Sequence, residues 1–216
     1  SSTFSYPDWK DYREVEAFAG VSAHCPIVPV NMNAGGVPQR VWGQLVSGNY
    51  FGLTGAPLWK GRGIAPGEDE VPLRDAVVVL GHGLWQRMGG DDGIVGKTVR
   101  LSGAPYTVVG VAAPGFFGTD RGIASEFWAP MAMRTQLFPD IAKHGEDKRN
   151  TRWIELTARL KPGVTKEQAT AALNVVAARI AAEQGKDKRY TPVTLAAAGQ
   201  FPEVGALLSM LMLALT

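Results

Sequence analysis

Residues 46–55 read Val-Ser-Gly-Asn-Tyr-Phe-Gly-Leu-Thr-Gly, and they open a series of short apolar runs, separated by glycines, that extends to Pro130. β-Branched and aromatic residues favour strands, and glycine permits the tight turns between them. The series therefore predicts short β-strands with one or two short helices between them. Its later runs are Val77-Val78-Val79-Leu80, Val95-Gly96-Lys97-Thr98-Val99-Arg100-Leu101, Tyr106-Thr107-Val108-Val109-Gly110-Val111 and Phe127-Trp128-Ala129-Pro130.

Longer regular elements are predicted before this series. Residues 4–19 carry aromatic and apolar side chains at helical spacing, with Ser5 as the N-cap and Gly20 as the C-cap. The face formed by Phe4, Trp9, Tyr12, Val15 and Phe18 is expected to be core. Residues 21–33 and 38–47 are expected to form a hairpin around Gly35-Gly36, with a bulge near Gly43.

The local signals within the series predict its remaining elements. Ser47 is expected to cap a short helix over 50–53, which Gly55 ends. The other expected elements are a loop over 57–73, a buried strand over 76–80, a helix over 82–88, a hairpin of strands 95–101 and 106–111, a strand over 127–130 and a helix over 131–138.

Regular structure is also predicted after the series. Residues 140–151 are polar and read as a linker, and residues 152–160 alternate as a strand does. Thr165 and Gln168 form a capping box at the start of a long helix over 166–184, which Gly185 ends. A closing strand is predicted over 190–197.

The composition excludes several classes of protein. The chain has 216 residues, enough for one large domain or two small ones, and a formal net charge of +2. Its basic residues are scattered, so no nucleic-acid surface is indicated. Cys25 is the single cysteine, so no internal disulfide can form.

The two ends of the sequence lead us to expect a fragment of a longer protein. No signal peptide is present. Residues 204–216 are apolar or small, but this run is shorter than the roughly 20 residues that a transmembrane helix needs. We expect residues 203–216 to be the start of a transmembrane helix; from the residues alone, an ordinary buried terminal helix is an equal alternative.

No motif of metal, nucleotide or nucleophilic chemistry is complete. His24, His82 and His144 fall in different predicted elements and lack metal-ligand spacing. The run Gly93-Ile94-Val95-Gly96-Lys97-Thr98 is too short between its glycines for a phosphate loop and leads into a strand. The turn Gly81-His82-Gly83 lacks the serine or cysteine of a nucleophile elbow. The sequence predicts no catalytic, cofactor-binding or metal-binding residue and no cofactor.

Loop carboxylates and tryptophans leave one alternative function open. Asp91-Asp92 and Glu68-Asp69-Glu70 are pairs or runs of acids, and a glycosidase needs two carboxylates facing each other across a cleft. The six tryptophans are expected to pack in the core, but exposed rings could stack on sugars. A periplasmic hydrolase or a carbohydrate-binding module is therefore the alternative reading.

Taken in order, the motifs resemble the extracytoplasmic domain of MacB/FtsX-type ABC transporter permeases. Each motif is common alone, and their order and spacing carry the likeness. The opening residues 6–12 with Phe18-Ala19-Gly20 are similar to the first periplasmic helix of that family. The other matching motifs are residues 46–51, Gly61-Arg62, Val77-Val78-Val79-Leu80 with Leu84-Trp85, residues 94–99, residues 106–111 and residues 127–130.

The resemblance implies an α+β fold of two subdomains. A porter-like βαβ subdomain comes from both ends of the chain, over 1–56 and 149–202, and a mainly-β, Sabre-like subdomain is inserted over 57–148. The strands near 20–47 and 150–197 are then expected to share one mixed sheet, with helices 4–19 and 166–184 on one face.

The same resemblance implies a non-enzymatic domain that relays ATP-driven motion to cargo or partner proteins, in efflux or in mechanotransmission. The partners it implies are an ABC ATPase subunit or domain and a periplasmic adaptor or cargo, and the full-length chain is expected to form a homodimer or a pseudo-dimer. The implied location is the periplasmic side of a bacterial inner membrane, held by flanking helices, with no nucleic acid.

Overall fold

The computed structural model describes residues 3–34, 37–119, 124–145, 147–184 and 192–196. Nine strands of these residues form one mixed sheet in the order β1-β9-β2-β3-β8-β5-β7-β4, and β6 pairs beside this path with β2 and β7. The strands are β1 (Phe4–Ser5), β2 (Phe18–Ala34), β3 (Val37–Val46), β4 (Leu58–Gly61), β5 (Val77–Leu80), β6 (Thr98–Leu101), β7 (Ala104–Ala112), β8 (Phe127–Pro130) and β9 (Arg152–Leu160).

Short helices connect the strands, and one long helix follows them. Two 3-10 turns lie at Pro66–Asp69 and Met131–Met133. The α-helices are α1 (Tyr6–Tyr12), α2 (Tyr50–Thr54), α3 (His82–Arg87), α4 (Arg134–Leu137), α5 (Pro139–Lys143) and α6 (Lys166–Glu183).

The expectation that strands from both ends of the chain share a sheet is confirmed for β2, β3 and β9. β2 pairs antiparallel with β3 and with β9, so that Val21 lies opposite Ala158. The sheet is mixed, as predicted, because β3–β8 and β5–β7 are parallel. Side chains of α1 and α6 enter the same core cluster.

The first predicted helix is wrong in its second half. The capping box is present, since the Asp8 N–H donates to Ser5 Oγ at 3.2 Å and the Ser5 N–H donates to the Asp8 carboxylate. The helix nevertheless ends at Tyr12, and Gly20 lies in β2 opposite Arg159 instead of capping a helix. Pairing with β9 satisfies this backbone, and tertiary contacts of that kind outweigh helical periodicity. The aromatic face is core as expected: Trp9 and Tyr12 are buried.

Ser47 does not cap α2. Asn49 occupies the N-cap position, but its side chain makes no capping hydrogen bond to the helix backbone. Ser47 Oγ instead accepts the Ala23 N–H at 3.0 Å and donates to Asn49 Oδ1 at 2.7 Å, which ties the end of β3 to β2. Gly55 ends the helix in the left-handed conformation, with φ of 69°, as predicted.

Two other predictions fail locally. The expected loop over 57–73 contains β4, which pairs antiparallel with β7. This strand was not predicted because it has only four residues and follows directly after Pro57, and proline is unfavourable within strands. Residues 192–196 of the expected closing strand form no strand. The amide of Asn174 instead binds both backbone groups of Val193 at 2.9 Å, so these groups need no partner strand. The remainder of that segment, Gly185 and the predicted transmembrane start at 203–216 lie outside the described residues.

Side chains pack on both faces of the sheet. Val78 and Leu80 of β5 enter the larger core, whereas Val79 between them enters a smaller core with Trp128 and Phe51. Successive strand residues point to opposite faces, so the two clusters lie on opposite sides of the sheet. This arrangement explains why β5 is apolar at every position.

The strands from the middle of the chain join those from its ends through two pairings. β3 and β8 run parallel, with Gly43 opposite Phe127 and Val46 opposite Pro130. β6 also pairs with the end of β2 over two residue pairs. At Gly43 the strands approach closely, because a Cβ there would contact the Phe127 ring and lie 2.5 Å from the Phe127 carbonyl oxygen.

We therefore predict that Gly43→Ala lowers the free energy of unfolding by about 2–3 kcal/mol, because the new methyl group forces β3 away from β8. Urea unfolding followed by circular dichroism measures this loss. The matched control is Gly52→Ala in α2, where a Cβ meets no atom within 4 Å. The control is expected to be neutral or to gain up to about 1 kcal/mol from helix propensity; equal effects of the two variants would contradict the close approach.

Candidate functional site

The three histidines lie on or beside different elements of the fold. His24 is buried on β2, with Nε2 4.0 Å from the Glu155 carboxylate. The His82 ring stands edge-on to those of Trp59 and Trp85, and His144 is at the surface, bonded to the Asp140 carbonyl. Within the described residues, no group of three or more histidines, cysteines and acids is placed to hold a metal ion.

The loop carboxylates mostly bind basic side chains at the surface. Asp91 binds Lys97, and this bond, with that from the Gly93 N–H, holds the pKa of Asp91 below its ordinary value. Asp92 binds Lys60. Glu68 binds Arg62 through both guanidinium nitrogens Nη1 and Nη2, which lowers the pKa of Glu68. These acids therefore act as surface ion pairs and do not face one another across a cleft.

The tryptophans divide into two groups. Trp9, Trp85, Trp128 and Trp153 are buried, which confirms the expected core role for these four. Trp42 and Trp59 are exposed, at 41% and 54% of their surface. They lie on β3 and β4, which three other strands separate in the sheet order. The two exposed rings thus form no continuous platform for a sugar chain.

A buried polar network lies where β3 meets β8. Gln44 is fully buried on β3, and its Oε1 accepts the Trp128 indole N–H at 2.8 Å and the Tyr50 hydroxyl at 3.4 Å. The Tyr50 hydroxyl also lies 3.2 Å from Thr119 Oγ1. A buried glutamine needs such partners to offset its desolvation. The network joins β3, β8, α2 and the loop after β7 at one point.

Asp69 fastens a second junction. Its Oδ1 accepts the Ala132 N–H at 2.8 Å, and the backbone N–H groups of Gly48 and Met131 act electrostatically on the carboxylate. The side chain thus lies where three segments meet: the 3-10 turn over 66–69, the loop after β3 and the turn after β8. Burial raises the pKa of Asp69 from 3.8 to about 6, although the N–H groups of Ala132, Gly48 and Met131 and nearby Arg134 act in the opposite direction.

An open groove of about 630 Å³ lies between α2 and the loop after β4. Its walls include apolar side chains of Leu53, Leu58 and Ile64 and the bare backbone of Gly52. Arg159 of β9 is its one charged lining residue among the described residues, and the Arg159 Nε–H donates to the Leu53 carbonyl at 3.0 Å. The groove therefore combines an apolar floor with a single cationic edge.

Comparison with known proteins identifies the family. The family model described as the MacB-like periplasmic core domain matches residues 1–176. The periplasmic region of MacB from Actinobacillus actinomycetemcomitans is similar in structure, with a TM-score of 0.62 and 16% identity over 83% of this chain and 75% of that chain. No curated protein matches the sequence at a significant level.

Two further solved structures share the fold. The extracellular domain of the noncanonic ABC-type transporter YknZ from Gram-positive bacteria gives a TM-score of 0.57 at 14% identity, covering 80% of this chain and 83% of that chain. A permease-protein domain from Porphyromonas gingivalis gives a TM-score of 0.59 at 17% identity, covering 98% of this chain and 87% of that chain.

These neighbours share the fold, and the family match defines the class: the periplasmic domain of MacB-like ABC transporter permeases. The match over most of its length shows that the chain belongs to the MacB-like periplasmic core domain family. Such domains are parts of membrane-associated ABC transporters that include an ATPase part. Among the described residues, no helix has both the length and the apolar character needed to span a bilayer.

Sequence reasoning missed the residues that build the junction. Gln44 lies in a predicted strand without a motif, and Asp69 was grouped with exposed loop acids. A polar residue inside an apolar strand is the signal that could have identified Gln44, since its burial needs a partner. No local pattern distinguishes Asp69 from Glu68 or Glu70, because its burial depends on residues 48 and 131–132.

The raised pKa of Asp69 predicts a specific pH dependence of the stability of the fold. Because its pKa in the folded chain, about 6, lies above its unfolded value of about 3.9, the folded chain binds more protons between these values. Stability is therefore expected to fall as pH rises from about 4 to about 6 and to level off above that range. Relative to Asp69→Asn, the wild-type chain should lose on the order of 2 kcal/mol between about pH 4 and pH 7.

Urea unfolding at a series of pH values provides the measurement, with the difference between wild type and Asp69→Asn as the readout. Other titrating groups cancel in that difference. Asp91→Asn is the matched control, because its carboxylate is exposed and its pKa is lowered. Parallel pH profiles for wild type and Asp69→Asn would show that burial does not perturb Asp69.

Proposed function

We propose that the chain relays ATP-driven movement of transmembrane helices to cargo or a partner protein, as the extracytoplasmic domain of a permease in a bacterial inner membrane. An ABC ATPase subunit or domain supplies the movement, and two copies of the permease form the assembled transporter. Membership of the MacB-like family and the ABC-type permeases among the structural neighbours support this function.

The observation that carries the proposal is the continuity of the sheet. One set of hydrogen-bonded strands extends from β1 and β9 through β3 and β8 to β4. Where β3, β8 and β5 lie side by side, packed side chains occupy both faces of the sheet. A sheet filled on both sides transmits displacement and resists bending, so it favours a mechanical relay over a conduit for cargo.

We further propose that 1–56 with 149–202 is the porter-like base and that 57–148 is the outward coupling unit. Contacts between the two ends of the chain support the base. β1 pairs with β9, and Arg149 just before β9 binds Asp8 and Asp11 of α1 at 3.0 and 2.6 Å. Four strands of the 57–148 segment, β8, β5, β7 and β4, occupy the far end of the sheet order, and we expect a partner to bind at this end.

The route of the relay is the pairing of β3 with β8. Polar or proline-containing junctions, here near Pro57 and over 140–151, are suited to hinges between the two parts. The Gln44 network instead supports a coupling unit that moves with the base, because the buried hydrogen bond from the Trp128 indole N–H to Gln44 joins the two parts.

Spin labels in the assembled full-length transporter test the relay. Leu73 in the 57–148 segment is 52% exposed and Val175 on α6 is 71% exposed, so either position accepts a label after substitution by cysteine. We expect the distance between the two copies' labels at residue 73 to change on ATP binding by at least as much as that at residue 175. Pulsed electron paramagnetic resonance measures both distances.

If the distance between the labels at residue 175 changes and that at residue 73 does not, the relay is contradicted, because motion of the base is then not passed to the coupling unit. If neither distance changes, movement of the domain itself is contradicted. In the labelled Gly43→Ala permease, β3 and β8 are forced apart. ATP hydrolysis should persist and the distance at residue 175 should still change, but the distance at residue 73 should no longer change with it.

A further inference from the structure

The groove beside α2 has a composition that the relay function does not explain. Its residues come from both proposed units: Gly20, Leu53 and Arg159 belong to the base, whereas Leu58 and Ile64 belong to the coupling unit. Any molecule held there contacts both units at once. Occupation of the groove therefore bears directly on how the two units move together.

Among the described residues that line the groove, Arg159 is the one cation that can meet a ligand. Lys60 and Arg62, on the neighbouring strand and loop, are bound to Asp92 and Glu68. Arg159 binds no carboxylate among the described residues; its Nε and Nη2 donate to the Leu53 carbonyl. An arginine fixed in this way still presents its Nη1 edge to a carboxylate.

The open shape of the groove selects the kind of ligand. Sites for free small molecules enclose most of the ligand surface, and this groove does not. A side chain that projects from a protein needs less enclosure, because the surrounding interface excludes water from it. The nearby free edge of β4 is a weaker candidate for docking, since Pro57 and Gly61 limit this strand to four residues.

We propose that the groove is a docking site for a partner protein, which inserts an apolar side chain between α2 and Ile64 and places an adjacent carboxylate on Arg159. This inference rests on the proposed relay function and specifies the chemistry of its partner. The partner presents a large apolar residue next to aspartate or glutamate on an exposed loop. Binding bridges the base and the coupling unit.

Gly52 provides a direct way to block the groove. A Cβ at this position meets no atom within 4 Å, and the backbone is helical, so Gly52→Trp fills the groove without strain in the fold. Gly83→Trp is the matched control, because Gly83 also lies within a short helix and does not line the groove. Arg159→Gln removes the charge while keeping a polar side chain.

The test is selection of a random dodecapeptide phage library on the 216-residue chain, followed by affinity measurement of the enriched peptides. We expect peptides with a large apolar residue next to an acid. Gly52→Trp and Arg159→Gln should each weaken binding about tenfold or more, whereas Gly83→Trp should leave it unchanged. Circular dichroism of each variant verifies folding.

Three results would overturn the proposal: no enrichment, binders without an acidic residue, or binding that survives Gly52→Trp. A second experiment measures binding of sodium decanoate, an amphiphile with an apolar chain and a carboxylate, below its micelle concentration. Decanoate binding that Gly52→Trp abolishes, without peptide binding, would assign the groove to an amphiphile instead of a protein. The selection needs neither ATPase nor membrane, so it can fail while the spin-label test of the relay succeeds.

Discussion

The close approach of β3 and β8 is the constraint on which the rest of the structure depends. Gly43 lies opposite Phe127 without room for a side chain, and Gln44 beside it binds the Trp128 indole in a fully buried position. The absence of a side chain at Gly43 lets β3 and β8 approach closely. The buried Gln44 makes a shifted register of these strands costly, because its side-chain amide would lose its hydrogen-bond partners. With this pairing fixed, the central strands add to the sheet begun by the terminal ones.

Much of the strand and helix content could be predicted from local pattern. The apolar run of β5, the hairpin of β6 and β7 and the capping box before α6 all lie where periodicity and turn residues placed them. Each of these elements carries its signal within a few residues. The α+β class followed from the same local patterns, whereas the shared sheet of strands near 20–47 and 150–197 was expected from the family resemblance.

The remainder could not be predicted because its determinants are distant in sequence. Residues 13–20 have helical periodicity, yet β9 pairs with Phe18 and Gly20 and makes this segment a strand. Val193 needs no strand partner because Asn174 binds it. The candidate site depends on such contacts throughout: Asp69 is recognised only when residues 48 and 131–132 are in place, and the groove exists only where α2 meets the loop after β4.

The pairing of β2 with β9 also determines when the domain can become stable. Val21 of β2 pairs with Ala158 of β9, which follows much later in the chain. During synthesis β2 therefore emerges long before its partner on that side exists. Until then, one edge of β2 offers unpaired backbone groups to other chains, and contacts between such distant residues form slowly. Newly made chains are consequently most vulnerable to aggregation in the interval before β9 appears, and chaperone binding to β2 is of greatest value in that interval.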